Sequence, residues 1–133
     1  MIDRSSAIAV AGGAVAGGAV RWVVVETFPS ADGGWPWAVF VVNVVGALLL
    51  GVVLTSTAHR TDDDTDDRVR LGAGTGFCGA LTTFSTFAVD VAGFARAGDE
   101  ALGAGYFVVS LSVGVAAFLV GRSLVRTVAG DLR

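Results

Sequence analysis

Length, composition and charge together indicate an integral membrane protein. The chain has 133 residues, of which 53% are hydrophobic and 16% are charged, and its formal net charge is −3. A soluble domain usually has a charged fraction nearer ~25%. The single cysteine, Cys78, excludes an intramolecular disulfide. One histidine and no paired-cysteine motif argue against a metal centre built from side chains, and nothing in the charge pattern favours nucleic acid as a partner.

Four apolar segments follow one another along the chain, at residues 7–25, 37–54, 71–89 and 102–121. Each is close to the ~20 residues that a helix needs to cross a bilayer. Charged or turn-forming residues separate the segments, and no stretch is left for a soluble domain. The pattern therefore predicts an all-α integral membrane protein with one four-helix domain over residues 1–133.

The first segment has an alternative interpretation as a cleaved signal peptide, because Arg4 precedes a run rich in alanine and glycine. The apolar run continues through GGAVAGGAVRWVVV past any reasonable cleavage point, however. Gly13 and Gly17 also have the spacing of a helix-packing face in a membrane. We therefore interpret residues 7–25 as the first membrane span.

The distribution of arginine predicts the orientation in the membrane. With four spans, both termini and the loop between the second and third spans share one side. That side has seven arginines, namely Arg4, Arg60, Arg68, Arg70, Arg122, Arg126 and Arg133. The other side has Arg21 and Arg96. Because basic residues are concentrated in cytoplasmic loops, we expect both termini to lie in the cytoplasm.

The middle of the third span is unusually polar. The stretch GFCGALTTFSTF, residues 76–87, has four hydroxyl side chains within five residues, at Thr82, Thr83, Ser85 and Thr86. A threonine in a membrane helix often bonds to the carbonyl four residues back, which would make these packing residues. The alternative is a break in the helix, whose freed carbonyl and N–H groups would line a polar cavity and bind an ion. The residues alone leave the two interpretations equally open.

Neutral polar and aromatic residues elsewhere can also be interpreted in two ways, as packing residues or as contacts of an anion. Phe84 and Phe87 share a helix face, and their positively polarised ring edges could contact an anion or simply pack. Asn43 is the only strongly polar residue of the second segment, and its amide suits either an interhelical hydrogen bond or an anion. Tyr106 and Ser110, four residues apart, form either a hydroxyl track or a polar packing seam.

Titratable groups are absent from the centres of all four segments, which contain no central Asp, Glu, Lys or His. A proton-coupled pump usually needs a titratable group inside the membrane. Neutral donors and ring edges instead favour the passive permeation of a small anion. The sequence therefore argues for a channel rather than a proton-driven transporter.

The motif at residues 76–87 closely resembles the signature of the Fluc, or CrcB, fluoride channel family. The resemblance extends to GGAVAGGAVRW in the first span, VNVVGALLLG in the second, and Tyr106 with Ser110 in the fourth. It implies a passive channel, not an enzyme, that exports fluoride from the cytoplasm and lowers its toxicity. It also implies a broken third helix and an antiparallel dimer in the membrane lipid, with the second subunit inverted.

The resemblance also implies roles for individual residues. The residues matching the fluoride pathway are Asn43, Thr83, Phe84, Thr86, Phe87, Tyr106 and Ser110. Arg21 matches an arginine of the vestibule. The backbone carbonyls of Gly79 and Thr82 match the ligands of a structural sodium ion, which is not transported.

The chain departs from the family pattern at three places. Ala38 and Val39 stand where a Gly-Thr pair is common before the pore asparagine, so one hydroxyl is missing. Asp90 stands where glutamate is usual, and Trp22 where tyrosine is common.

The unequal arginine count raises a further hypothesis about the partner. A chain that inserts in only one orientation would need an inverted paralogue, rather than a copy of itself, as its partner.

Two other functions were weighed against the channel. A small four-span multidrug antiporter would need a carboxylate embedded in the membrane, and Glu26 lies too close to the end of its span. A structural membrane subunit without transport activity would use the hydroxyl cluster only for packing.

Overall fold

The computed structural model describes residues 4–31, 33–58 and 64–131. Within these ranges the chain is helical and has no strand. Four helices are long and apolar enough to cross a membrane, at Arg4–Thr27, Trp37–Thr57, Asp67–Ala97 and Glu100–Val128. The predicted all-α class with four spanning helices is thus confirmed. Arg60 and Arg133, which entered the arginine count, lie outside the described residues.

The first, second and fourth spans are single helices, α1 (Arg4–Thr27), α2 (Trp37–Thr57) and α6 (Glu100–Asp131). The third span is divided into α3 (Asp64–Val69), a π-helical segment π1 (Arg70–Cys78), α4 (Gly79–Leu81) and α5 (Phe84–Ala97). The turn between α5 and α6 is made at Gly98, whose φ of 83° suits glycine. Its N–H closes α5 by donating to the carbonyls of Phe94 and Ala95.

Glycines bring the helix backbones into direct contact in two pairs of elements. Between α2 and α6, a Cβ on Gly51 would overlap the carbonyl oxygen of Phe118, and one on Gly121 would overlap that of Leu48. Between α1 and π1, a Cβ on Gly17 would overlap the carbonyl oxygen of Phe77. Such close approach provides the packing energy of membrane helices, since no hydrophobic force acts between them in lipid.

The packed interior lies toward the loop that joins α1 to α2. Val39, Phe87, Phe94 and Tyr106 form a buried cluster, and Trp35 of the loop packs against it. Most large apolar side chains of α1 and α6 are instead exposed on the protein surface. This distribution fits a chain whose outer surface contacts lipid.

The glycine contacts give a matched pair of substitutions on α1. We expect Gly17→Ala to destabilise the protein by about 1–3 kcal/mol, because the new methyl group must push α1 away from π1. Gly18→Ala should be neutral or slightly stabilising, because nothing lies within 4 Å of its added Cβ and alanine favours the helix. Thermal unfolding in detergent measures both variants. Equal melting temperatures would contradict the close contact.

Candidate functional site

The regular helix of the third span stops at Leu81. The N–H of Thr82 still donates to the carbonyl of Cys78 at 3.0 Å. The backbone is then extended at Thr82 (φ −76°, ψ 150°) and Thr83 (φ −141°, ψ 119°), and α5 begins at the next residue. Extended residues between two helices have backbone groups without helical partners. We call Thr82 and Thr83 the extended pair.

Asn43 on α2 provides partners for both backbone groups of Thr83. The Thr83 N–H donates to Asn43 Oδ1 at 2.7 Å, and Asn43 Nδ2 donates to the Thr83 carbonyl at 3.2 Å. The amide therefore replaces the helical bond that the Thr83 N–H lacks, and it gives a further donor to a carbonyl that, at the N-cap of α5, also begins that helix. An asparagine amide has a second N–H, and no acceptor for it is present among the described residues. Asn43 thus stabilises the backbone at Thr83 and has one Nδ2 hydrogen left to donate.

The hydroxyl side chains around the extended pair divide into two roles. Thr82 Oγ1 donates to the carbonyl of Cys78 at 2.9 Å, four residues back. Thr83 Oγ1 accepts from the backbone N–H of Thr86 at 3.2 Å and so caps the start of α5. The same oxygen lies 3.1 Å from Thr86 Oγ1 and 3.3 Å from Ser85 Oγ. The bond to the carbonyl four residues back, one of the two interpretations considered from the sequence, is thus found at Thr82, and its neighbour Thr83 caps a helix.

Arg21 reaches the extended pair from α1. Its Nη1 donates to the carbonyl oxygen of Thr82 at 3.3 Å, in a partly buried position. The guanidinium group therefore places a positive charge beside backbone that is irregular within the membrane span. A positive charge at this depth raises the local concentration of anions.

The carbonyls of Gly79 and Thr82 can be tested as cation ligands. Gly79 is exposed, and the Thr83 N–H that would bond its carbonyl in a continued helix donates to Asn43 instead. The Thr82 carbonyl accepts from Arg21 and has a second lone pair. Two carbonyls are fewer oxygens than a hard cation takes, so by themselves these residues fit only part of a cation site. The described residues contain no cluster of metal-ligating side chains.

The two phenylalanines after the extended pair differ in environment. The rings of Phe84 and Phe87 lie 5.9 Å apart between centroids, at 46°. Phe84 is 75% exposed, whereas Phe87 is 4% exposed and contacts the rings of Tyr106 and Phe107. Phe84 therefore stands at the protein surface, and Phe87 connects it to the buried cluster.

An open groove of about 410 Å³ brings most of the candidate residues together. Its polar or aromatic lining consists of Asn43, Thr82, Thr83, Phe84, Phe87, Ser110 and Phe118. Ser110 has a buried Oγ without a hydrogen-bond partner, as does the phenol oxygen of Tyr106, which is 0% exposed. The groove is otherwise apolar and contains neutral hydrogen-bond donors. Arg21, Thr86 and Tyr106 lie outside its lining.

Two further residues with buried, unpartnered polar atoms were not selected from the sequence. These atoms are Trp35 Nε1 and Asp90 Oδ2. Each residue flanks an apolar segment, and a position just outside a span indicates a membrane-interface residue. Val39, where the hydroxyl is missing, is buried in the same cluster as Tyr106.

Comparison with known proteins assigns the chain to a family. A family model described as "CrcB-like protein, Camphor Resistance (CrcB)" matches residues 8–122. The chain belongs to the CrcB family. This confirms the resemblance seen in residues 76–87.

Curated CrcB relatives match over most of their length. "Fluoride-specific ion channel FluC 1" of Mycolicibacterium paratuberculosis is 37% identical over 126 residues, which cover 94% of this chain and 92% of the relative. The protein of the same name from Mycobacterium bovis is 40% identical with the same coverage. "Fluoride-specific ion channel FluC" of Bordetella avium is 41% identical over 106 residues, covering 79% and 80%. These relatives are named as channels, which are not enzymes, and none is named as an antiporter.

Proposed function

We propose that this CrcB protein is a passive, fluoride-selective channel that exports fluoride from the cytoplasm and lowers its toxicity. The observation that carries the proposal is the groove in which Asn43, Phe84, Phe87 and Ser110 meet beside the extended pair. Neutral donors and ring edges at close quarters select a small anion without holding it too tightly to leave. The names of the relatives support fluoride as that anion.

The direction of transport follows from elementary electrostatics. A membrane potential that is negative inside moves anions outward, by about 2.3 kcal/mol per charge per 100 mV. Fluoride that enters as neutral HF and ionises in the cytoplasm therefore leaves through a passive channel. This role requires the plasma membrane. The arginine count predicts that a subunit in its preferred orientation has both termini in the cytoplasm, and an inverted second copy would have them outside.

The complete channel in this proposal is an antiparallel dimer with an inverted second subunit, either a second copy or a paralogue. The groove is open along one side, and Phe84 and Gly79 are exposed on the protomer. A second subunit that covers this face would enclose the path. It would also add two carbonyls to those of Gly79 and Thr82, which together suit a structural sodium ion. Thr83 and Thr86 extend the hydroxyl lining beside the groove.

Reconstitution of the protein expressed alone tests the proposal. We expect liposomes that contain the purified protein to release fluoride and to retain chloride, with the protein running as a dimer in detergent. Empty liposomes are the control. A dimer that releases no fluoride would refute the channel function. A monomer without flux that gains flux with a coexpressed paralogue would identify the paralogue as the partner.

A further inference from the structure

Four buried polar atoms in one region have no hydrogen-bond partner among the described residues. They are Trp35 Nε1, Asp90 Oδ2, Tyr106 Oη and Ser110 Oγ. Leaving one such group unpaired is unfavourable, and native proteins rarely do so. Tyr106 interacts with both Asp90 and Ser110, so these three side chains can partly satisfy one another. The indole N–H of Trp35 has no such neighbour among the described residues, which leaves a place for an acceptor from outside the protein chain.

Three of the four residues line cavities. Ser110 lines the groove of about 410 Å³, and Asp90 lines a second cavity of about 370 Å³ beside the first loop. Tyr106, which is fully buried, interacts with both of these side chains. The Trp35 ring meets the Tyr106 ring almost perpendicularly, with centroids 5.1 Å apart. Trp35 itself lines a third cavity, of about 510 Å³, at the first loop, so its ring stands between Tyr106 and the loop side.

The chemistry of the four atoms favours an anion over a cation. The indole N–H of Trp35 is a donor only, and the hydroxyls of Tyr106 and Ser110 can also donate. The Tyr106 hydroxyl already interacts with Asp90 and Ser110, so the N–H of Trp35 is the donor that lacks an acceptor. A fluoride ion, which accepts several short hydrogen bonds, would provide that acceptor.

We propose that Trp35 is a further residue of the fluoride path, and that its indole N–H donates to fluoride at the loop-side end. The proposal rests on the channel function proposed above. Trp35 lies on the loop before α2 rather than within a span, and its ring also contacts Trp37 and Phe40. The loop therefore provides the indole N–H of Trp35 to the proposed path, and the Trp35 ring packs against the buried cluster.

Trp35→Phe tests the donor, because phenylalanine keeps an aromatic ring and removes the N–H. We expect fluoride efflux from liposomes to fall about tenfold, as for loss of one hydrogen bond to a charged group. The matched control is Trp37→Phe, since Trp37 is 63% exposed and its ring nitrogen is not among the buried atoms. The control should conduct like the unmodified protein. Efflux from Trp35→Phe equal to that of the control would overturn the proposal.

A spectroscopic titration separates a pore role from a structural one. In a Trp22→Phe, Trp37→Phe double variant, Trp35 is the only tryptophan of the chain. Its fluorescence should change saturably with sodium fluoride and stay constant with sodium chloride at the same ionic strength. A fluorescence unaffected by fluoride would overturn the proposal, even if Trp35→Phe lost efflux through misfolding. An unmodified dimer without fluoride efflux would instead refute the channel function itself.

Discussion

Replacing Asn43 with leucine is expected to destabilise the protein and to remove fluoride efflux. Leucine has a similar branched shape but leaves the N–H of Thr83 without its partner. The Thr83 carbonyl loses one donor but, as the N-cap of α5, still accepts a helical bond. One unsatisfied buried backbone group is unfavourable by about 1–3 kcal/mol, so a loss of about that size is expected. Thermal unfolding in detergent and efflux from liposomes measure the two effects.

Asn43→Asp is the informative control for this substitution. A carboxylate keeps the oxygen that accepts from the Thr83 N–H but loses the donor to the Thr83 carbonyl. We expect a melting temperature between those of the leucine variant and the unmodified protein. Fluoride efflux should still be low, because a negative charge at this position repels an anion. A leucine variant that melts like the unmodified protein would show that Asn43 does not support the extended pair.

Replacing both Phe84 and Phe87 with isoleucine is expected to reduce fluoride efflux to the level of empty liposomes. Isoleucine is apolar but has no positively polarised ring edge. The single variants should differ, because Phe84 is 75% exposed and Phe87 is 4% exposed. Phe84→Ile should lower efflux at least about tenfold with little change in the protomer's stability. Phe87→Ile should also destabilise the buried cluster by about 1–3 kcal/mol.

Phe107→Ile provides the matched control for the ring pair. Phe107 contacts the Phe87 ring at 5.8 Å but does not line the groove, and it is 42% exposed. Its replacement should leave efflux close to that of the unmodified protein. Efflux unchanged in the double variant, or equally reduced in Phe107→Ile, would argue against ring edges as the contacts of the anion.

The number and order of the spans could be predicted from the sequence because span length and apolarity are local properties. The π-helical segment could not, since its backbone bonds depend on how the glycines of π1 pack against α1. The roles of the hydroxyls were also ambiguous for a physical reason. Thr82 and Thr83 are chemically identical neighbours, and their different partners follow from a tertiary contact.

Two of the contacts that organise the candidate site join residues that are distant along the chain. Asn43 and Thr83 are separated by 40 residues, and Arg21 and Thr82 by 61. A lone asparagine in an apolar segment indicates a polar partner, but not which one. Trp35 was missed because a tryptophan near a span end is normally an interface residue. Only the packing against Tyr106 reveals that its ring nitrogen is buried.

The pairing of Asn43 with Thr83 has a consequence for biogenesis. Asn43 is synthesised 40 residues before Thr83, so α2 is made before the third span emerges from the ribosome. When the third span enters the lipid, the Asn43 amide is therefore already present to accept from the Thr83 N–H and to donate to the Thr83 carbonyl. In a chain rearranged so that α2 is translated last, the same backbone would enter unpaired. We expect such a circular permutant to insert its third span poorly, although every contact of the finished protein is retained.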